Sequence, residues 1–131
     1  MRFVSAVCFA LILFQACSVP VNEEKLRGSW DYIKIDNLNA SSPDSTTSAE
    51  LKAAKPFIRF TGKDKLQIYW SGKLLSSGTY RIDGPMIRYK EVLPDGRQRE
   101  FPFLVKKLTD HDFVFETMSR EGTRVSTVKR K

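Results

Sequence analysis

Histidine, cysteine and carboxylate side chains are where chemistry would start, and this 131-residue chain holds few of them in useful patterns. The single histidine, His111, stands between Asp110 and Asp112. That trio could bind a metal weakly, but it also reads as a solvent-facing hairpin turn, because Asp accepts turn geometry readily. Only two cysteines occur, Cys8 and Cys17, so neither a zinc-type cluster nor a Cys/His or Ser/His nucleophile pairing has its members. Glu91, Glu100 and Glu116 could act as paired carboxylates, yet their strand positions point to a solvated surface. The glycines are isolated from one another, so no phosphate-cradling loop is formed. The chain is therefore expected to be no enzyme and to take no metal or cofactor.

A different chemistry is written at the N-terminus. Met1-Arg2 is a short positive start, residues 3–14 are an almost unbroken apolar run, and Gln15-Ala16-Cys17 follows. The run is too short to span a bilayer and reads as a secretion signal. Cys8 leaves with it, so the mature chain keeps one cysteine and forms no internal disulfide, and a lone thiol in an oxidising compartment is a liability. Leu13-Phe14-Gln15-Ala16-Cys17 resembles the lipobox of bacterial lipoproteins. The resemblance implies cleavage before Cys17 and acylation of that residue; an ordinary signal cut slightly later, leaving Cys17 as a thiol, is the alternative. Each buried methylene adds about 0.8 kcal/mol, so two or three acyl chains make a durable covalent lipid anchor. The expected organisation is a signal peptide at 1–16, an acylated cysteine and tether at 17–25, and a folded domain at 26–131. Ser18 lacks the aspartate that holds some lipoproteins at the inner membrane, which points to the outer membrane.

The folded part must be built from strands. Apolar residues alternate, and turn signals such as Gly62-Lys63-Asp64, Ser71-Gly72, Asp83-Gly84 and Pro94-Asp95-Gly96 recur about ten to fifteen residues apart. Strands are predicted at 26–36, 56–61, 65–71, 74–82, 85–92, 98–108, 112–118 and 123–130. One face carries Leu66, Ile68 and Trp70, Ile58 and Phe60, Tyr80 and Ile82, Ile87 and Tyr89, Phe101, Phe103 and Val105, and Phe113 and Phe115. Eight sequential hairpin-linked strands with one apolar face predict an all-β, antiparallel up-and-down barrel, closure removing the exposed edges. Pro102 cannot donate to a ladder and calls for a bulge or an open seam. The long linker at 37–55 is rich in Ser, Thr and Asn, and Thr47 or Ser48 could cap a short helix ending before Pro56.

Leu26-Arg27-Gly28-Ser29-Trp30 looks like the Gly-x-Trp opening of lipocalin-like barrels, and 77–82, 103–110 and 113–115 are similar to segments of small bacterial lipocalin-like lipoproteins. The resemblance implies an eight-stranded lipocalin-like fold with Gly28 and Trp30 at its closed end. It also implies an arginine of the last strand over the tryptophan, for which Arg124 is the candidate and Arg130 the second choice. Two functions follow. In the first, an anchored binding protein receives a small hydrophobic or lipid-like ligand among Trp70, Tyr80, Tyr89, Phe101, Phe103 and Phe115, beneath the 37–55 loop. In the second, those side chains fill the barrel, which at eight strands is only just wide enough for them, and the protein is an envelope interaction or scaffold module. Without Arg2, which leaves with the signal, the formal charge of +7 becomes +6. This balance suits attraction to anionic lipid head groups or acidic polysaccharide, with a plain solvated surface and basic tail as the alternative, while an envelope protein is the partner of the scaffold reading. Nucleic acid is not an expected partner, since export and inward-facing aromatics both argue against it, and a monomer is expected.

Overall fold

A computed structural model describes residues 19–38, 47–118 and 122–131. The expected signal segment and Cys17 lie outside the described residues. Among those described, no helix is long and apolar enough to cross a membrane.

Asn22 opens a single helical turn, α1 (Glu23–Leu26), its side chain accepting from the Lys25 N–H at 2.8 Å. The eight strands are β1 (Gly28–Asn37), β2 (Phe57–Thr61), β3 (Lys65–Trp70), β4 (Lys73–Asp83), β5 (Met86–Val92), β6 (Gln98–Leu108), β7 (Asp112–Thr117) and β8 (Thr123–Lys129). Each pairs antiparallel with the next, and β8 pairs with β1 to close the barrel, so every strand has a paired neighbour on both sides. The predicted strand boundaries agree with these to within about two residues. The alternation that placed Ile58, Phe60, Leu66, Ile87, Tyr89, Val105, Phe113 and Phe115 on one face puts all of them in the buried core.

Three register shifts, at Tyr32/Lys34, Ile68/Tyr69 and Val105/Lys107, bend the strands around the small circumference. Pro102 sits at none of them. It pairs with Arg88 of β5, and the β6–β7 ladder starts one residue later at Phe103, so Pro102 is laddered on one side only, the open-seam solution.

The linker helix is α2 (Ser48–Ala54), capped by Thr47 and Glu50 in reciprocal side-chain to backbone hydrogen bonds of 3.2 and 3.3 Å. It ends at Lys55, in the left-handed conformation, just before Pro56. Its buried Leu51 faces β1, where β1 has run past the end of its pairing with β2. The Ala54 carbonyl accepts from the Ser71 N–H at 2.8 Å, tying the end of the helix to the β3–β4 turn.

Candidate functional site

The two ends of the barrel differ. At one, Trp30 is fully buried and its Nε1 donates to the Leu26 carbonyl of α1 at 2.8 Å, so the turn of helix and the indole together plug the base. Phe113 (tilted at 5.5 Å from Trp30), Phe60 (edge-on to Phe113) and Phe115 (stacked on Phe113) continue the plug. Gly28 adopts φ +122°, and a Cβ there would stand 3.3 Å from Lys129 Cε. The missing side chain makes room for the Lys129 stem, whose Nζ lies 5.3 Å from the Trp30 ring centroid.

This corrects the expectation that Arg124 covers the tryptophan. Because β8 is antiparallel to β1, Lys129 pairs with Trp30, while Arg124 pairs with Asp36 near the far end and donates to Glu116 at 2.9 Å. Arg130, the second choice, grips Asp31 at 2.5 Å and lies 4.1 Å from the Phe57 ring centroid.

At the other end the barrel holds an open cavity of about 710 Å³. Ile68, Leu75, Tyr89, Phe101, Phe103 and Met118 supply most of its apolar wall. Of the six aromatics expected to line a ligand site, the structure brings Tyr89, Phe101 and Phe103 to this wall, with Tyr89 and Phe103 stacked at 5.8 Å. Phe115 backs the cavity from below, 5.1 Å from Phe103. Tyr80 belongs instead to the plug, edge-on to Phe60 at 5.2 Å, with its phenol pKa pushed up by burial and then by the Glu23 charge. Trp70, half-buried at the end of β3, is part of neither the core cluster nor the cavity wall. No described residue of the 37–55 linker lines the cavity: α2 flanks the barrel beside β1 and does not roof the mouth.

The cavity also contains a polar group that the sequence reading missed. Glu91 was expected on a solvated surface, but its side chain is only 13% exposed and faces inward with Tyr89 and Ile87, two and four residues away on the same strand face. Arg99 donates to Glu91 Oε1 through Nη2 at 2.6 Å and Nε at 3.2 Å, Ser76 Oγ donates to Oε2, and Ser76 Oγ lies 2.6 Å from the Tyr89 hydroxyl. Burial pushes the Glu91 carboxyl upward, but the hydrogen bonds from Ser76 and Arg99 and the Arg99 charge outweigh it and hold the group below the usual carboxylate range. Burial pushes the Tyr89 phenol up, opposed by its bond to Ser76. Tyr32, also unforeseen, packs edge-on to Phe115 at 6.4 Å, its phenol pushed up by burial and by Tyr89. Glu116 likewise is only 14% exposed, held beneath Arg124, whereas Glu100 is 46% exposed as expected of a surface carboxylate, lies 3.6 Å from Arg81 and borders the cavity.

His111 sits exposed in the β6–β7 turn, where Thr109 Oγ1 accepts from the backbone N–H groups of His111 and Asp112. Among the described residues, no group of three or more His, Cys, Asp or Glu side chains is placed to hold a metal.

No protein-family model matches the chain, and no curated protein matches it in sequence. Among solved structures, a lipocalin-like protein from Bacteroides uniformis superposes with a TM-score of 0.58 at 18% identity, covering 81% of this chain and 99% of that one. A redesigned β barrel gives 0.48 at 12% identity over 83% and 94% of the two chains. At 18% identity the Bacteroides likeness is one of fold, and it places this chain among closed, eight-stranded, lipocalin-like up-and-down barrels.

Proposed function

We propose that the barrel binds a small hydrophobic or lipid-like molecule in the cavity at its open end, and that the protein is an exported, acyl-anchored lipoprotein. The observation that carries the binding reading is the unequal filling of the barrel. Stacked rings and Trp30 pack the base, whereas the upper half keeps about 710 Å³ of mainly apolar space, within the range of small-molecule pockets. Leu75, Val92 and Met118 stand at its lip, 66, 44 and 55% exposed, so an apolar path leads in from solvent. The same exposed lip favours the rival reading, an envelope-protein contact surface, and binding measurements separate the two.

The anchor reading rests on the signal and lipobox-like residues ending at Cys17. Val19 and Val21 pack against the core just ahead of α1, which is part of the plug, so an anchor at Cys17 joins the barrel near its closed base. The mouth then opens away from the anchoring outer membrane, towards ligands or partners in the space beyond.

All the described strands and the plug lie within residues 19–131, so the chain from Ser18 carries the closed barrel. Exported without its anchor and purified without detergent, this chain is expected to show a reproducible lipid-mass adduct by native mass spectrometry. A bare mass that persists after incubation with hydrophobic ligands would refute the binding reading. Radiolabelled palmitate on the full chain, abolished by Cys17→Ser, tests the anchor.

A further inference from the structure

Four of the polar residues that line the cavity, Ser76, Tyr89, Glu91 and Arg99, form one hydrogen-bonded chain, and that chain has a direction. Glu91 takes two N–H bonds from Arg99 on Oε1 and the Ser76 hydroxyl on Oε2. A carboxylate bonded in this way only accepts, and the shift of its titration below the usual range keeps it ionised at neutral pH. A serine hydroxyl carries one proton. With that proton committed to Glu91, Ser76 must accept across its 2.6 Å contact with Tyr89, so the phenol proton is committed as well. Lone pairs are then what the deep part of the network offers a ligand, on the Tyr89 oxygen and the Glu91 carboxylate. The donors of Arg99 left over from this pairing lie at the lip, where the side chain is 56% exposed and its guanidinium carbon sits 5.2 Å from the Phe101 ring centroid.

Resting on the reading that the cavity takes a hydrophobic ligand, we propose that Ser76, Tyr89, Glu91 and Arg99 form a head-group site that selects a neutral amphiphile ending in a hydrogen-bond donor, such as a long-chain alcohol or a monoacylglycerol, over one ending in a carboxylate. A hydroxyl can donate to the Tyr89 oxygen or to Glu91 while its chain lies along Phe101, Phe103 and Ile68. A carboxylate would bring lone pairs to lone pairs and a second negative charge beside Glu91, where apolar walls strengthen the repulsion. Arg99 does not reverse this preference, because its charge is already matched by Glu91 at 2.6 Å.

The test uses the chain from Ser18 and the neutral fluorescent probe N-phenyl-1-naphthylamine, displaced by 1-dodecanol or by dodecanoate, which is ionised at neutral pH. The alcohol is expected to displace the probe at a concentration about ten-fold or more below that of the acid, equivalent to about 1.4 kcal/mol. Glu91→Gln removes the charge and supplies an amide donor, so it should bring the two competitors within about three-fold of each other. Ser76→Ala frees the Tyr89 proton and should narrow the gap in the same sense, and it carries the test if Glu91→Gln does not fold. Probe uptake with equal or better competition by dodecanoate in the unaltered protein would overturn the head-group assignment while leaving the cavity reading intact. So would a ratio unmoved by either folded variant. Failure of the probe and of both competitors to bind would instead overturn the cavity reading, and the head-group assignment with it.

Discussion

Adding a single carbon at Gly78 should cost this barrel more than any turn-glycine substitution. Gly78 pairs with Leu66 of β3 on one side and with Glu91 of β5 on the other. A Cβ at that position would lie 1.9 Å from the Lys90 carbonyl oxygen, 2.9 Å from its carbon and 3.0 Å from the Glu91 Cα. Carbon–oxygen contacts settle at about 3.3 Å or more, so β5 must retreat by roughly 1.4 Å. What blocks the way is backbone, which cannot rotate aside as a flexible side chain would. Overpacking alone costs about 1–3 kcal/mol, and each disrupted ladder bond adds about 1 kcal/mol, giving roughly 3–4 kcal/mol for Gly78→Ala. For a domain of this size that corresponds to a fall of about 15 °C in Tm. Gly72→Ala is the control: it meets no atom within 4 Å but holds φ +75°, so only the left-handed backbone cost of about 1–2 kcal/mol applies. Urea and thermal unfolding followed by far-UV circular dichroism compare the two. If Gly78→Ala destabilises no more than Gly72→Ala, the close approach of β4 and β5 is refuted. Since Glu91 lies directly opposite, the same variant should also weaken the bond between Ser76 and Glu91, and with it any discrimination between head groups.

Lys129→Met keeps the aliphatic stem against Gly28 but removes the cation over Trp30. It should lose about 1 kcal/mol and change Trp30 emission in a Trp70→Phe background, whereas Arg124→Met should leave that emission unchanged; the reverse pattern would return Arg124 to the plug. Phe113→Ala, at the fully buried centre of the ring cluster, should cost about 3–5 kcal/mol. Phe103→Ala, bordering space that is already empty, should cost less while enlarging the cavity, and equal losses in denaturant melts would argue against an unfilled upper half. The lowered Glu91 pKa means that the unfolded chain binds the proton more readily than the folded one. Its stabilising contribution should be complete above about pH 5 and decline as pH falls through the ordinary carboxylate range towards the folded value. Glu91→Gln should flatten that part of the stability curve; an unchanged slope in urea titrations at several pH values would contradict the paired, ionised carboxylate.

Strand placement was legible because alternation and turn residues act locally. Ile87 and Tyr89, or Phe113 and Phe115, declare their face whatever the neighbouring strands do. The same alternation, continued past Tyr89, reaches Glu91, so the inward glutamate was readable. A charged residue is expected to seek solvent, and the groups that hold Glu91 inside, the Ser76 hydroxyl and the Arg99 guanidinium, come from other strands whose register no local pattern fixes. The register shift at Ile68/Tyr69 precedes Trp70, which is absent from the cavity wall. Which cation reaches Trp30 follows from counting along an antiparallel pair: the indole lies near the start of β1, so its cover must come from the end of β8, where Lys129 stands and Arg124 does not. The division of one aromatic face into a packed base and an open upper chamber depends on how α1 and Trp30 seal one end, a long-range arrangement that residue type alone does not encode.

Chemical-shift mapping tests the central claim, an accessible ligand chamber at the open end, most directly. The uniformly ¹⁵N-labelled chain from Ser18 would be titrated with N-phenyl-1-naphthylamine. Amide shifts should concentrate on Ile68, Leu75, Ser76, Tyr89, Phe101 and Phe103, and leave Trp30, Phe60 and Phe113 at the plug unmoved. Shifts confined to the outer wall, or none on ligand addition, would contradict it.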